Sequence, residues 1–518
     1  MRERALDAVL ALALALGAYA LLGDVGFELT DEGYLWYGVQ RAELGEVPRL
    51  DFRGYDAGRY YWCVAWAPLF GTGLLGMRLS LAMYQAVGLF FGLRVARRAL
   101  KPGQTGLPLL LVGLGVLLTI WEFPRQKVFE HTSVLITVWV VMRWLEQRDL
   151  RRAFAAGFWT GLALFMGRNH ALYAGLSSVA VLGWIGARES LALCRDSLGS
   201  FSAGVAVGLL PTVAMMLLIP GLAATNWELA MALVHRSSNL SMDVPWPWTI
   251  DFAAEDPGWA TQLLGTGISY MLMCAVYLLG AIAVVRTSAS AMHRRAAFAA
   301  CIFVGISWAH HAAVRSEAGH LAQAAHPLWL ALFAAPLAFD WAQRQRVALA
   351  SGITLVTLTA AVPIFADGRW QGLVSDSWKP LEVGDDSVRA PAWIVDYVQT
   401  IDGLVSTHVA ESELILIAPF DPTFYPYFGK KSPIYDTYQL WPSSNEAQQA
   451  AIAALEAQDV RWALLGTTIV SGSPQTHYSH TNPLVLAYLQ QNFEPVPGVA
   501  QFPGRMFLQR RSLPTPQP

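Results

Sequence analysis

The chain has 518 residues, of which 54% are hydrophobic and only 14% are charged, and its mean hydropathy of +0.37 indicates a polytopic membrane protein rather than a soluble multidomain one. A formal net charge of −2, with no basic run interleaved with aromatic residues, excludes nucleic acid as a partner. The four cysteines lie far apart and mostly in apolar segments, which excludes a disulfide framework and a CxxC metal site.

The N-terminal segment Ala5–Leu22 is long and apolar enough to cross a bilayer. Arg2 and Arg4 precede it, and positive charge favours the cytoplasmic side, so the residues that follow are expected outside. Because many hydrophobic segments follow, we interpret it as an uncleaved first membrane helix rather than a signal peptide.

The first outer loop, residues 24–78, carries an acidic pair, Asp31 and Glu32, just beyond this helix. It continues through the aromatic run Tyr55–Trp62. The next stretch, Val64–Leu75, is apolar but short and interrupted by glycines, so we predict an interfacial helix on the outer surface.

Further apolar segments predict the remaining spans, for about eleven in total. They are Leu79–Val95, Leu107–Trp121, Thr132–Trp144, Phe154–Met166, Ala171–Ile185, Phe201–Leu222, Leu263–Val285, Ala297–Val314, Leu321–Trp341 and Val347–Phe365.

The distribution of basic residues supports a topology in which the spans strictly alternate in direction. With that topology, the clusters of basic residues between spans all lie in cytoplasmic connections, as the preference for positive charge inside requires. These are Arg94, Arg97, Arg98, Lys101, Arg143, Arg148, Arg151, Arg152, Arg188, Arg195, Arg286, Arg294, Arg295, Arg344 and Arg346. The predicted outer connections instead mix carboxylates, guanidiniums and imidazoles at the span ends. Mixed ionisable groups at membrane depth are costly unless they are paired or used, so we expect these loops to converge on a site that opens outward.

The region after Phe365 is polar and contains separate helix and strand signals, which predict a soluble α/β domain at residues 366–518 after a membrane domain at 1–365. The predicted elements alternate as in βαβ units. They are Pro391–Thr400 and Glu446–Gln458 as helices, and Glu413–Ala418 and Arg461–Gly466 as strands. An odd number of spans places this domain outside the cytoplasm. No glycine-rich phosphate motif precedes a helix here, so we assign it no nucleotide.

The first outer loop resembles that of a known family. Its pattern is Asp31-Glu-Gly-Tyr34, Gly45-Glu-Val-Pro48, Asp51-Phe52, Tyr60-Tyr-Trp62, Phe70-Gly71 and Met77-Arg-Leu79. It resembles the polytopic GT-C glycosyltransferases, in particular the bacterial branch similar to protein O-mannosyltransferases and the aminoarabinose transferase.

The resemblance implies a GT-C-like fold and a sugar donor linked to polyprenyl phosphate. It implies an inverting hexosyl or pentosyl transferase at the outer face of the bacterial inner membrane. An acceptor hydroxyl on a lipid, glycan or protein attacks the anomeric carbon, and the lipid phosphate leaves. Sugar, acceptor and prenyl length do not follow, because one fold and site chemistry serve many substrates.

By position, Asp31 matches the family's catalytic carboxylate, which takes the proton of the acceptor as general base. Glu32 has three interpretations: it orients Asp31, it helps to hold a divalent cation, or it has no role. Metal dependence and cofactors are left open. The alternative for the pair is a solvated helix end that anchors the membrane boundary.

The leaving phosphate needs cationic groups, and Arg315 and His320 are the first candidates because an Arg and a His open a late span in the family. Arg168, Lys127 and Arg59 are further candidates. Each has a structural alternative. For example, Arg168 pairs with Glu122 or Glu130, and Lys127 or Arg125 anchors to lipid headgroups.

Two functions from other classes compete with a glycosyltransferase. A transporter or flippase for a lipid-linked or anionic solute would favour ionisable residues near the membrane midplane, where the predicted spans are almost free of charge. A noncatalytic scaffold for envelope assembly would tolerate substitution of Asp31.

Overall fold

The fold is built mainly from apolar helices, followed by a region that also contains strands. The computed structural model describes residues 2–100, 107–235, 242–339, 361–467, 469, 473–497 and 504–511. The helices are α1 (Arg2–Leu22), α2 (Asp31–Glu43), α3 (Ala57–Phe70), α4 (Leu74–Ala99), α5 (Leu107–Ile120), α6 (Val128–Glu146), α7 (Leu150–Met166), α8 (Arg168–Arg188), α9 (Leu191–Gly208), α10 (Leu210–Leu218), α11 (Leu222–His235), α12 (Pro257–Val285), α13 (Ala289–Val314), α14 (Ala318–Ala338), α15 (Ala361–Ala366), α16 (Arg369–Val374), α17 (Ala392–His408), α18 (Phe424–Tyr427), α19 (Asn445–Ala457), α20 (Tyr478–Thr481) and α21 (Pro483–Asn492). The strands are β1 (Trp378–Val383), β2 (Asp386–Pro391), β3 (Ile415–Ala418), β4 (Trp462–Gly466), β5 (Phe493–Pro495) and β6 (Arg505–Arg510).

The chain divides into two compact units. The helical unit comprises Met1–Asp24, Arg78–Ala223 and Ser241–Val374. The mixed unit comprises Val25–Met77, Ala224–Leu240 and Ser375–Pro518. Most of the first loop thus packs in the same unit as the C-terminal region.

Helices long and apolar enough to cross a membrane identify a multi-pass membrane protein. Among the described residues there are seven, namely α1, α4, α6 with the 3-10 turn before it, α8, α12, α13 and α14. Helices α9 and α10 pass the same test together and would make an eighth, although they are bent by 43°.

The predicted span Phe201–Leu222 falls on the end of α9 and on α10, and the bend divides it. Pro211 lies in the first turn of α10, where it lacks the amide hydrogen that would continue α9. Two predicted spans are short helices, since α5 has 14 residues and α7 has 17. Most of the predicted span Val347–Phe365 lies outside the described residues, as do Trp341, Lys101, Arg344 and Arg346.

Helices α7 and α9 pack with their backbones in contact. Both carry two glycines four residues apart, Gly157 and Gly161 on α7 and Gly204 and Gly208 on α9. A Cβ atom at any of these positions would overlap the carbonyl oxygen of the facing helix. Small residues at this spacing allow close approach of membrane helices, which places α9 firmly against α7.

The mixed unit contains, within the described part of the chain, a sheet of order β3-β4-β6-β5 and a separate β1–β2 hairpin. Strand β3 runs parallel to β4, with Ile415 opposite Trp462, and α19 lies between them in sequence. Strand β6 is antiparallel to both β4 and β5. The helix predicted at Pro391–Thr400 is α17, which continues to His408.

The predicted interfacial helix Val64–Leu75 has the wrong bounds. The observed helix α3 begins at Ala57 and ends at Phe70, because Gly71 adopts a left-handed conformation with φ of 73°. Helix α4 already begins at Leu74. The Gly71-Thr-Gly sequence therefore separates two helices rather than interrupting one.

Candidate functional site

The acidic pair opens helix α2 in the mixed unit. Asp31 is the first residue of the helix and is half-buried, whereas Glu32 is 2% exposed. Both therefore lie where the partial positive charge of the helix N-terminus stabilises a carboxylate.

A carboxylate that the sequence analysis missed, Glu28, lies beside this pair. Its Oε1 accepts a hydrogen bond from the backbone N–H of Thr30 at 2.9 Å, and its Oε2 accepts one from the N–H of Glu32 at 2.5 Å. Burial, with the neighbouring Asp31 charge, raises the pKa of Glu28 to about 7. The start of α2 thus contains three carboxyl groups, one of which titrates near neutral pH.

The loop before α18 holds this helix start in place. Thr423 Oγ1 donates to the carbonyl oxygen of Glu28 at 2.8 Å, and its backbone N–H donates to the Leu29 carbonyl at 3.3 Å. A Cβ atom at Gly33 would overlap Thr423 Oγ1 and lie within 2.5 Å of its Cα. The glycine after the acidic pair is therefore needed for close approach to a residue almost four hundred positions later.

Aromatic residues surround the next turn of α2. The ring of Tyr34 lies 5.1 Å from that of Tyr55 and 5.6 Å from that of Tyr438. The predicted phosphate ligand Arg59 is buried, and its guanidinium lies over the Tyr55 ring at 4.7 Å. The structure thus groups Arg59 with the aromatic residues that pack on α2.

In the helical unit, the structure brings together the two leading phosphate candidates. Arg315 Nη2 lies 3.1 Å from Glu317 Oε2, and His320 Nδ1 lies 2.9 Å from Glu317 Oε1. The ring of His311 on α13 lies 5.5 Å from that of His320. Arg315 and His320 therefore share one carboxylate at the α13–α14 connection.

The remaining candidates lie at two other helix starts of this unit. Lys127 ends the 3-10 turn before α6, and Arg168 is the first residue of α8. Near these starts, His170 Nε2 lies 3.9 Å from Glu130 Oε1, and its Nδ1 lies 2.9 Å from Ser133 Oγ. Polar groups therefore cluster where α6 and α8 begin.

A buried histidine pair lies deeper in the helical unit. The rings of His131 on α6 and His326 on α14 are 5.1 Å apart, and both residues are fully buried. His326 continues a three-residue spacing that includes His320 and Gln323, so these side chains follow one face of α14. This spacing is the sequence signal by which His326 could have been found.

A cavity of about 80 Å³ with several polar side chains in its lining lies in the helical unit, beside the C-terminal end of α1. Nη1 of Arg78 and Nη1 of Arg125 both donate to the Gly23 carbonyl oxygen, at 2.9 and 3.1 Å. The cavity is also lined by Glu122 and Asp367. Burial raises the pKa of the Glu122 carboxyl well above its usual range, because desolvation disfavours the ionised form.

Metal ligation was left open by the sequence. In the part of the chain that the structure describes, no three His, Cys, Asp or Glu side chains converge as a metal site would require. Two pairs of side chains each supply two potential metal ligands, namely Asp31 with Glu32 and Glu317 with His320.

The long apolar helices define a multi-pass membrane protein. Its fold is GT-C-like, as the first-loop resemblance predicts, because solved GT-C structures superimpose on it. Crystal structures of ArnT from Cupriavidus metallidurans, a GT-C glycosyltransferase, superimpose on this chain with a TM-score of 0.55 in the apo state and in a complex with undecaprenyl phosphate. Each match covers 96% of this chain and 97% of ArnT at 15% sequence identity, a level at which the likeness shows the fold alone.

An archaeal oligosaccharyltransferase, AglB from Archaeoglobus fulgidus, superimposes at a TM-score of 0.46 and 12% identity over 99% of this chain and 75% of AglB, which is too weak to carry an argument. No protein-family model and no curated protein sequence matches the chain significantly.

Proposed function

We propose that this protein is an integral membrane glycosyltransferase that moves a sugar from a polyprenyl-phosphate donor to an acceptor hydroxyl. The observation that carries the proposal is a GT-C-like fold that matches ArnT over nearly the full length of both chains. The ArnT structure with undecaprenyl phosphate bound supports a lipid-linked donor. The acceptor is a lipid, a glycan or a protein, and the transferred group is a hexose or a pentose.

In this proposal Asp31 is the general base. As the acceptor hydroxyl attacks the anomeric carbon, Asp31 takes its proton, and the bond from that carbon to the phosphate oxygen breaks with inversion. General-base assistance of this kind contributes about 10²- to 10⁴-fold in rate. Glu32, which is buried next to it, orients Asp31 or joins it in holding a divalent cation through carboxylate oxygens.

The departing polyprenyl phosphate needs cations to stabilise its charge. We assign this role first to Arg315 and His320, because their shared contact with Glu317 supports a joint action. Arginine presents a planar pair of donors that suits phosphate oxygens. Arg168, Lys127 and Arg59 are the further candidates for this role.

The proposal includes a membrane topology. The chain crosses a bacterial inner membrane about eleven times in all, counting the shorter helices α5 and α7 and the span that the sequence predicts at Val347–Phe365. The reaction takes place at the outer face, and residues 366–518 form a soluble extracytoplasmic α/β domain. Positive charge in the predicted inner connections supports this orientation.

The test is a transfer assay with purified protein in proteoliposomes. A panel of polyprenyl-phosphate sugars labelled in the sugar is supplied with extracted envelope acceptors. We expect free polyprenyl phosphate to appear in step with labelled product. Movement of intact donor across the bilayer without release of polyprenyl phosphate would instead indicate a flippase, and neither outcome with any donor would contradict both functions.

A further inference from the structure

We propose that Glu28 is a positioning residue for the acidic pair, because its carboxylate caps the N-terminus of α2 and thereby fixes the backbone on both sides of Asp31. The inference rests on the proposed function, since it assigns Asp31 the role of general base. Glu28 itself touches neither substrate nor reacting atoms in this account.

The capping geometry is unusual for the residue types present. Thr30 occupies the N-cap position, where a threonine side chain normally accepts a hydrogen bond from the helix, yet its hydroxyl makes no such bond. It donates instead to Glu28 Oε1. The two oxygens of Glu28 then accept the N–H groups of Thr30 and Glu32, so the residue between them, Asp31, is held by one carboxylate.

The backbone that carries Glu28 is itself fixed from the facing loop. The two hydrogen bonds from Thr423 hold the carbonyl groups of Glu28 and Leu29, and the Gly33 contact holds the far side of the same turn. Because the backbone of Glu28 is held in place, its carboxylate also holds the first turn of α2 in place. Loss of the Glu28 carboxylate therefore loosens the first turn of α2 rather than relocating it.

The variants E28A and E28Q test the proposal in the full-length protein. E43Q is the matched control, because Glu43 ends the same helix and accepts a hydrogen bond from Thr72 Oγ1. Removing a cap lowers the equilibrium constant between the ordered and the frayed first turn by about tenfold. We expect E28A to lower kcat about tenfold with donor KM changed less than about twofold, and E43Q to match wild type.

The conservative variant separates positioning from a general loss of structure. E28Q keeps one acceptor oxygen for the α2 backbone, so we expect its kcat to lie between those of E28A and wild type, with donor KM changed less than about twofold. Unchanged kcat in E28A would overturn the proposal.

Hydrogen exchange supplies a readout that does not depend on activity. In E28A the amides of residues 30–34 should exchange about tenfold faster, while those of residues 36–42 keep their wild-type rates. If wild type transfers no sugar, the proposed function fails, and the exchange data alone decide whether Glu28 caps α2. Equal exchange at residues 30–34 in both proteins would then refute the cap.

Discussion

The packing of α7 on α9 yields a quantitative prediction about stability. Substitution of Gly204 by alanine on α9 would place a Cβ atom against the carbonyl oxygen of Phe154, 2.8 Å from the Phe158 backbone nitrogen and 3.0 Å from the Phe154 carbonyl carbon. These are backbone atoms of helix α7, so they cannot move aside as a flexible side chain would. Overpacking of this kind costs about 1–3 kcal/mol.

Gly199 on the same helix provides the control, because a Cβ atom there meets nothing within 4 Å. Alanine gains about 1 kcal/mol over glycine in a helix at either position, so this contribution cancels when the two variants are compared. We therefore expect G204A to be less stable than G199A by about 1–3 kcal/mol.

The assay is equilibrium unfolding in mixed micelles, followed by intrinsic tryptophan fluorescence, with wild type, G199A and G204A measured together. G199A should equal or exceed wild type in stability, and G204A should fall below G199A. If G204A is as stable as G199A, the two helices do not pack through their glycines and the assigned α7–α9 contact is refuted.

Three further predictions concern the candidate site. G33A should destabilise the mixed unit by about 1–3 kcal/mol, because the new Cβ meets the backbone of Thr423. Thermal unfolding measures this loss against the control G403A, where a Cβ meets nothing within 4 Å. Equal melting temperatures for the two variants would contradict the predicted overlap at Gly33. R315K should raise the donor KM about tenfold, because lysine lacks the two parallel N–H donors of the guanidinium. R195K, at an exposed position, should leave the donor KM unchanged. Equal KM values in the two variants would show that Arg315 does not bind the phosphate. Burial raises the pKa of Glu122 in the folded state above its value in the unfolded state. The stability that goes with this shift is complete below the unfolded-state pKa and is lost as pH rises through the folded-state pKa, so the Tm of E122Q should exceed that of wild type by more at higher pH. A difference in Tm that stays constant with pH would show that Glu122 does not titrate in the folded protein over that range.

Hydropathy and helical spacing predicted most of the membrane helices because these signals are local. The bend at Pro211 was missed since the apolar run continues through it, although proline in the sequence marks the break. The glycine spacing on α7 and α9 is visible in the sequence, but which helices it joins depends on the fold. The local sequence pattern therefore predicts where helices occur better than it predicts which helices pack together.

The candidate site was predicted in part for the same reason. The family resemblance pointed to Asp31 and Glu32, and the late Arg–His motif pointed to Arg315 and His320, which meet at Glu317. Glu28 carries no sequence signal of its own, because a glutamate three residues before a helix is common and its capping role depends on geometry. Thr423 is separated from Glu28 by 395 residues, so only folding reveals that it holds the acidic turn.

In the proposed function, Asp31 deprotonates the acceptor during sugar transfer from a polyprenyl-phosphate donor. The most direct test is the single-turnover rate of sugar transfer in D31N, compared with wild type and with D396N, which alters an exposed aspartate on α17. We expect a loss of about 10²- to 10⁴-fold in D31N with donor still bound, and no loss in D396N. Transfer by D31N at the wild-type rate would contradict it.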